Sequence, residues 1–132
     1  MTACFLISVS LLSQNTIQVS GSTGTTTWTS NNTYILSGYV FVESGQTLTI
    51  EPGTIVKGAP GSGVDASALI VSKGGQLMAD GTAAAPIIFT FEGDPLDGSV
   101  AYDTRGQWGG IIILGNATTN FGGPAQDRKS VV

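Results

Sequence analysis

Four carboxylates fall within twelve residues in this sequence, Glu92, Asp94, Asp97 and Asp103, and Arg105 follows directly. Carboxylate oxygens on a loop rich in Gly and Pro suit Ca²⁺, which takes about six to eight oxygen ligands in loose geometry. Glu92, Asp94, Asp97 and Asp103 are therefore the candidate calcium ligands, with backbone carbonyls completing the shell. The spacing Asp94-Pro-Leu-Asp97-Gly98 is not that of an EF-hand. The same residues also suit a solvated insertion in which Arg105 pairs with one aspartate, a contact worth about 0 to 1 kcal/mol when exposed. Histidine is absent from the chain, which removes imidazole bases, imidazole metal ligands and His-dependent triads.

Charge narrows the partners further. The net charge is −4 and only five Lys and Arg occur in 132 residues, so no basic stripe exists to neutralise phosphates, and nucleic acid is not expected as a partner. The one cysteine, Cys4, has no intramolecular partner. It lies in the apolar run 3–12, which is too short for a membrane span of about 20 residues but has the length of a signal-peptide core. No Lys or Arg precedes this run and no Ala-x-Ala site follows it. Residues 1–13 thus read as a degraded or truncated export signal, a miscalled start or an N-terminal strand. A lipid anchor on Cys4 is disfavoured, because only three residues precede it.

The elements that must hold the acidic loop are announced by a repeat. Val42-Glu-Ser-Gly-Gln-Thr-Leu-Thr-Ile-Glu-Pro-Gly53 returns 29 residues later as Val71-Ser-Lys-Gly-Gly-Gln-Leu-Met-Ala-Asp-Gly-Thr82. Each copy is strand, glycine corner, strand, acidic turn, the pattern of a coil wound along an axis. Composition agrees: glycine is 19 of 132 residues, about twice the usual ~7%, and charged residues are 11% against about 25%. Strands are predicted at 34–36, 39–42, 47–50, 54–57, 68–71, 76–79, 87–91 and 110–114. Corners are predicted at Ser37-Gly38, Ser44-Gly45, Pro52-Gly53, Gly74-Gly75 and Asp80-Gly81.

Alternation in Leu48-Thr-Ile50 and Leu77-Met-Ala79 sends first and third residues to one side, so Leu48 should stack beneath Leu77 and Ile50 beneath Ala79. The expected architecture is an all-β solenoid of about three to four rungs over 34–118. Residues 14–33 form a polar lead-in, with Ile17 and Val19 as a short strand and Trp28 as an anchor. Residues 59–67 and 92–107 leave corners as insertions, which a solenoid tolerates as loops on one side.

Other residues invite weaker readings. Trp28, Tyr39 and Trp108 suit a sugar-stacking platform, or aromatic covers beside glycine corners. Asn31-Asn-Thr33 and Asn116-Ala-Thr118 fit the glycosylation triplet but read as turn residues. Thr47 and Thr49 suggest the Thr arrays of ice-binding solenoids, yet Gln76 and Met78 stand opposite them in the repeat.

Leu48-Thr-Ile-Glu-Pro-Gly-Thr-Ile-Val-Lys-Gly58, Gly75-Gln-Leu-Met-Ala-Asp-Gly-Thr82, Pro86-Ile-Ile-Phe-Thr90 and Trp108-Gly-Gly-Ile-Ile-Ile-Leu-Gly115 together resemble the right-handed parallel β-helix proteins of bacterial surfaces. The likeness, over about residues 34–118, is to large secreted or lipid-anchored proteins, within a pectate-lyase-like superfold that also holds polysaccharide lyases and hydrolases. It implies a right-handed parallel β-helix, a place outside the cell or on its outer surface, and surface or extracellular polysaccharide as partner. Two functions follow: a non-catalytic adhesive scaffold, or a Ca²⁺-dependent polysaccharide lyase in which Arg105 would be the catalytic base. The scaffold is the preferred reading, since all candidate groups come from a single loop.

The apolar strand 110–114 is followed only by a Gly-rich stretch, 119–126, and by 127–132, where a solenoid end calls for a polar cap. The chain is therefore expected to be a fragment lacking further C-terminal rungs. Its final hexapeptide, Asp127-Arg-Lys-Ser-Val-Val132, back-translates to GAT CGG AAG AGC GTC GTG, the start of a common library adapter, and is read as a non-native tail.

Overall fold

Short stretches rich in β-branched residues and closed by glycine corners have one way to bury alternate side chains: they stack on the stretch before them. The computed structural model describes residues 14–117. They form β1 (Asn15–Ser22), β2 (Thr26–Trp28), β3 (Asn32–Val42), β4 (Thr47–Ile50), β5 (Ile55–Gly58), β6 (Ala68–Val71), β7 (Gln76–Ala79), β8 (Ile88–Phe91) and β9 (Gly110–Ile113). A single 3₁₀ turn, η1 (Gly63–Asp65), interrupts the loop between β5 and β6. Among the described residues there is no α-helix, and no helix long and apolar enough to cross a membrane.

All strand pairs are parallel. Their registers define three faces. The first stacks the start of β1, the start of β3, β5 and β8. The second stacks the ends of β1 and β3, then β6 and β9. The third stacks β2, β4 and β7. The described residues thus form a parallel β-helix with three complete rungs and two faces of a fourth.

Where the sequence suggests two strands at 34–36 and 39–42, the structure has one. β3 runs through the corner unbroken, but Thr33–Leu36 pair with β5 and Tyr39–Val42 with β6. Gly38, at φ +73°, makes that turn in the left-handed region that side chains with a Cβ avoid. The coil also begins earlier than the polar composition of 14–33 suggests. That segment supplies β1 and β2, a full rung, because its threonines suit a pleated surface while Trp28, only 3% exposed, fills the interior.

The expected ladders are present. Leu48 pairs with Leu77 and Ile50 with Ala79, and Trp28 lies below Ile50. The Trp28 ring stacks on Tyr34 at 4.7 Å between centroids and 13° between planes. Leu36, Val40, Val42, Leu48, Val56 and Leu69 are fully buried. Each such side chain contributes roughly 1.5–3 kcal/mol, so the axial ladders dominate the favourable side of stability. Two buried hydroxyls serve the corners. Thr54 Oγ1 donates to the Glu51 carbonyl (2.7 Å), and Ser67 Oγ accepts the Gly38 N–H (3.1 Å).

Both large insertions leave the same corner, between first and second faces, on successive rungs. One joins β5 to β6 and the other joins β8 to β9. This shared exit places the acidic loop beside the shorter loop containing η1.

Candidate functional site

The acidic loop is organised from the strand beneath it. Lys57 faces outward on β5 in register with Thr90 of β8. Its ammonium donates to the Asp94 carbonyl at 2.6 Å and reaches the Glu92 carbonyl at 3.5 Å. Thr90 Oγ1 donates to Asp94 Oδ2 (2.6 Å), and the Leu96 N–H donates to Asp94 Oδ1 (2.8 Å), forming an Asx turn in which Leu96 takes φ +64°. A second such turn follows, with the Ser99 N–H donating to Asp97 Oδ1 (2.9 Å). Hydrogen bonds to the ionised form favour it. The Thr90 hydroxyl, then the Leu96 amide, hold the Asp94 carboxyl below its ordinary 3.8, with Lys57 adding a smaller pull. Ser99 does the same for Asp97.

These bonds set the directions of the Asp94 and Asp97 carboxylates. Among the described residues no group of three or more Asp, Glu or Cys side chains is gathered where a metal could sit. Asp94 and Asp97 are each turned to their own loop backbone, Glu92 and Asp103 are exposed, and Lys57 takes the carbonyls of 92 and 94 that would complete a shell. Glu92, Asp94, Asp97 and Asp103 are therefore not gathered into one cluster in this structure. Arg105 is exposed, and its carbonyl rather than its guanidinium engages, accepting from Gln107 Nε2 (3.1 Å).

The structure brings forward two residues that sequence reasoning passed over. Lys57 was legible only as an outward strand position one rung below an insertion. Gly58, next to it, is where Trp108 lands. A Cβ at Gly58 would lie 2.6 Å from Trp108 Cβ and Cε3, so the end of the acidic loop packs directly on this glycine. Gly58, Pro60, Phe91, Glu92, Gly93 and Gln107 line an open groove of about 330 Å³ between the two insertions.

The three aromatics do not form one platform. Trp28 is buried, and Trp108 is partly buried against the core. Only Tyr39 is open, at 42% exposure, with its hydroxyl donating to the Gly63 carbonyl (3.1 Å) and its ring edge-on to Phe41 at 6.4 Å. Thr49 stands between Thr27 and the exposed Met78, which ends any Thr ladder. Asn31 and Asn32 belong to a hydrogen-bonded turn with Thr29 (Asn32 Nδ2 to Thr29 Oγ1, 2.8 Å). Thr118 of the second triplet, the apolar run with Cys4, and residues 119–126 and 127–132 lie outside the described residues.

With this geometry in view, a family model for the pectate-lyase-like β-helix domain matches residues 20–131. The match takes in β2 to β9 with most of the last fifteen residues. No curated protein and no solved structure matches the chain.

Proposed function

The chain belongs to the pectate-lyase-like β-helix family, and from that premise we propose that it is a non-catalytic solenoid scaffold that works outside the cell and holds carbohydrate at the corner groove. One observation carries this reading. Two insertions leave the same corner on adjacent rungs and enclose a groove in which Phe91 offers an apolar side and Glu92 and Gln107 offer polar atoms. A few polar groups converging on an apolar concavity is the usual form of a small-molecule or sugar site. Two of the nearby carboxylates, Asp94 and Asp97, are committed to loop turns, which supports a binding role over general acid–base work. The low count of basic residues favours a neutral sugar over an acidic one, since nothing in the groove would offset a uronate charge.

Affinity electrophoresis through gels cast with neutral or uronate-containing polysaccharide tests both halves. The expected result is retardation by a neutral polysaccharide, reduced in Gln107→Ala, and no unsaturated product from either polymer with Ca²⁺ present. Free migration in every gel would remove the carbohydrate reading. Unsaturated uronate product would replace the scaffold with a lyase.

A further inference from the structure

One peptide bond of this chain is weak by its chemistry. Asp94-Pro95 is the only Asp–Pro pair in the sequence. The amide before a proline is tertiary, which weakens its trans preference and lets its nitrogen depart as a secondary amine. An aspartate carboxylate reaches its own carbonyl carbon by closing a five-membered ring. Carboxylates are established nucleophiles, and a reaction partner held within the same residue acts at a very high effective concentration.

The coil sets a cation on the carbonyl of that bond. Lys57 Nζ donates to the Asp94 carbonyl oxygen at 2.6 Å in a partly buried contact, a short charge-assisted bond. Lys57 belongs to β5, so the coil and not the loop fixes its place. A cation there polarises the carbonyl and meets the negative charge that collects on its oxygen when the carbon becomes tetrahedral. The nucleophile is held at the same residue. Thr90 Oγ1 and the Leu96 N–H bind the two carboxylate oxygens, keep the side chain on its own backbone and favour its ionised form. Strain lies on the other side of the bond. Leu96, at φ +64°, is the only non-glycine among the described residues in the left-handed region, and cutting before Pro95 frees it to relax.

We propose that the chain cleaves itself once at the Asp94–Pro95 bond, with the Asp94 carboxylate as nucleophile and the Lys57 ammonium as the partner of the developing oxyanion. A carboxylate oxygen of Asp94 bonds to the Asp94 carbonyl carbon. The carbon–nitrogen bond to Pro95 then breaks, and the prolyl nitrogen keeps the electron pair and takes a proton from solvent. Residue 94 is left as a cyclic anhydride. Water opens it, restoring the side-chain carboxyl and freeing a new main-chain carboxyl, so the net change is the addition of one water and nothing is oxidised or reduced. Because β8 ends at Phe91 and β9 begins at Gly110, the cut falls inside the insertion and leaves the pairing of β5 with β8 and of β6 with β9 in place. The product is a nicked coil. One event per chain involves no turnover, and it stands independently of the carbohydrate reading.

The purified full chain, held with protease inhibitors at mildly acidic pH to supply the solvent proton, tests this by denaturing gel and intact mass. The expected products are residues 1–94 and 95–132, with masses that sum to the parent plus one water. Lys57→Met should slow the cut by roughly a hundredfold, the usual loss with an oxyanion donor, and Lys57→Arg, which keeps a cationic donor, should cut faster than Lys57→Met. Asp94→Ala and Pro95→Ala should stay whole. The parent unfolded in urea at the same pH, where Lys57 has no fixed place, should cut no faster than Lys57→Met. A folded parent that cuts no faster than the unfolded chain would overturn the proposal, as would a Lys57→Met chain that matches the parent. Products ending at another bond, or cleavage that persists in Pro95→Ala, would overturn it too.

Discussion

Replacing Gly58 by Ala tests whether Trp108 fastens the acidic loop to the coil. The new methyl would lie 2.6–2.7 Å from Trp108 Cβ, Cε3 and Cδ2, where carbon atoms rest at about 3.5–4.0 Å. The indole must therefore retreat by about 1 Å. The strand cannot yield instead, because Gly58 is held between Leu36 below and Phe91 above. Overpacking of this kind costs about 1–3 kcal/mol. Against it stands the entropy gain of removing a glycine from the unfolded chain, about 0.4–1 kcal/mol. Gly58 is not in the left-handed region, so no backbone strain is added. The net expectation is destabilisation by about 1–2 kcal/mol, read as a lower urea midpoint with an unchanged slope. In a Trp108→Gly background, which removes the Cβ as well as the ring, the clash has no partner, and Gly58→Ala should become neutral or stabilising by about 0.4–1 kcal/mol. The double-mutant cycle isolates this coupling. An equal cost of Gly58→Ala with and without the indole would refute the reasoning, as would a parent-like Gly58→Ala.

Ser67→Ala removes the acceptor of the Gly38 N–H at the corner and should cost about 0.5–1.5 kcal/mol in urea denaturation; a change within error would mean the corner finds another acceptor. The Asp94 carboxyl is held below 3.8 in the folded chain, so its contribution is present above that value and is lost as pH falls through the lower folded pKa. Thermal melts recorded across this acidic range should show a decline that Asp94→Asn reduces, and identical slopes would exclude the Thr90–Asp94–Leu96 turn as the cause. Because the carboxylates are not gathered, millimolar Ca²⁺ should leave the melting temperature unchanged; a rise with free Ca²⁺ would show that the loop rearranges into a site.

How legible the molecule was depends on whether a feature is local. Leu77 over Leu48 could be read from the 29-residue echo, because alternation and a four-residue glycine corner are properties of the chain itself. The first rung left no echo: Asn15 pairs with Asn32 and Thr26 with Leu48, so its faces repeat at shorter and unequal spacings. Parallel pairing is set by hydrogen bonds between strands, and a corner of any length meets that demand.

The candidate site divides in the same way. A cluster of Glu92, Asp94, Asp97 and Asp103 is visible in the sequence, but carboxylate direction is not. Thr90 and the Leu96 amide turn Asp94 inward to its own loop, and Lys57, 37 residues earlier, claims the carbonyl at Asp94. The contact of Trp108 on Gly58 likewise joins the end of one insertion to the start of another.

By itself the sequence determined a parallel coil, its inward positions and its corners, since period-two alternation and glycine conformations act within a few residues. Tertiary structure alone decided that residues 15–28 already form a rung, that both insertions share one corner, and that the acidic loop closes on a lysine and leaves a groove. Those outcomes depend on which strand lies above which, a relation fixed by backbone hydrogen bonds across rungs and not by the identity of neighbouring residues.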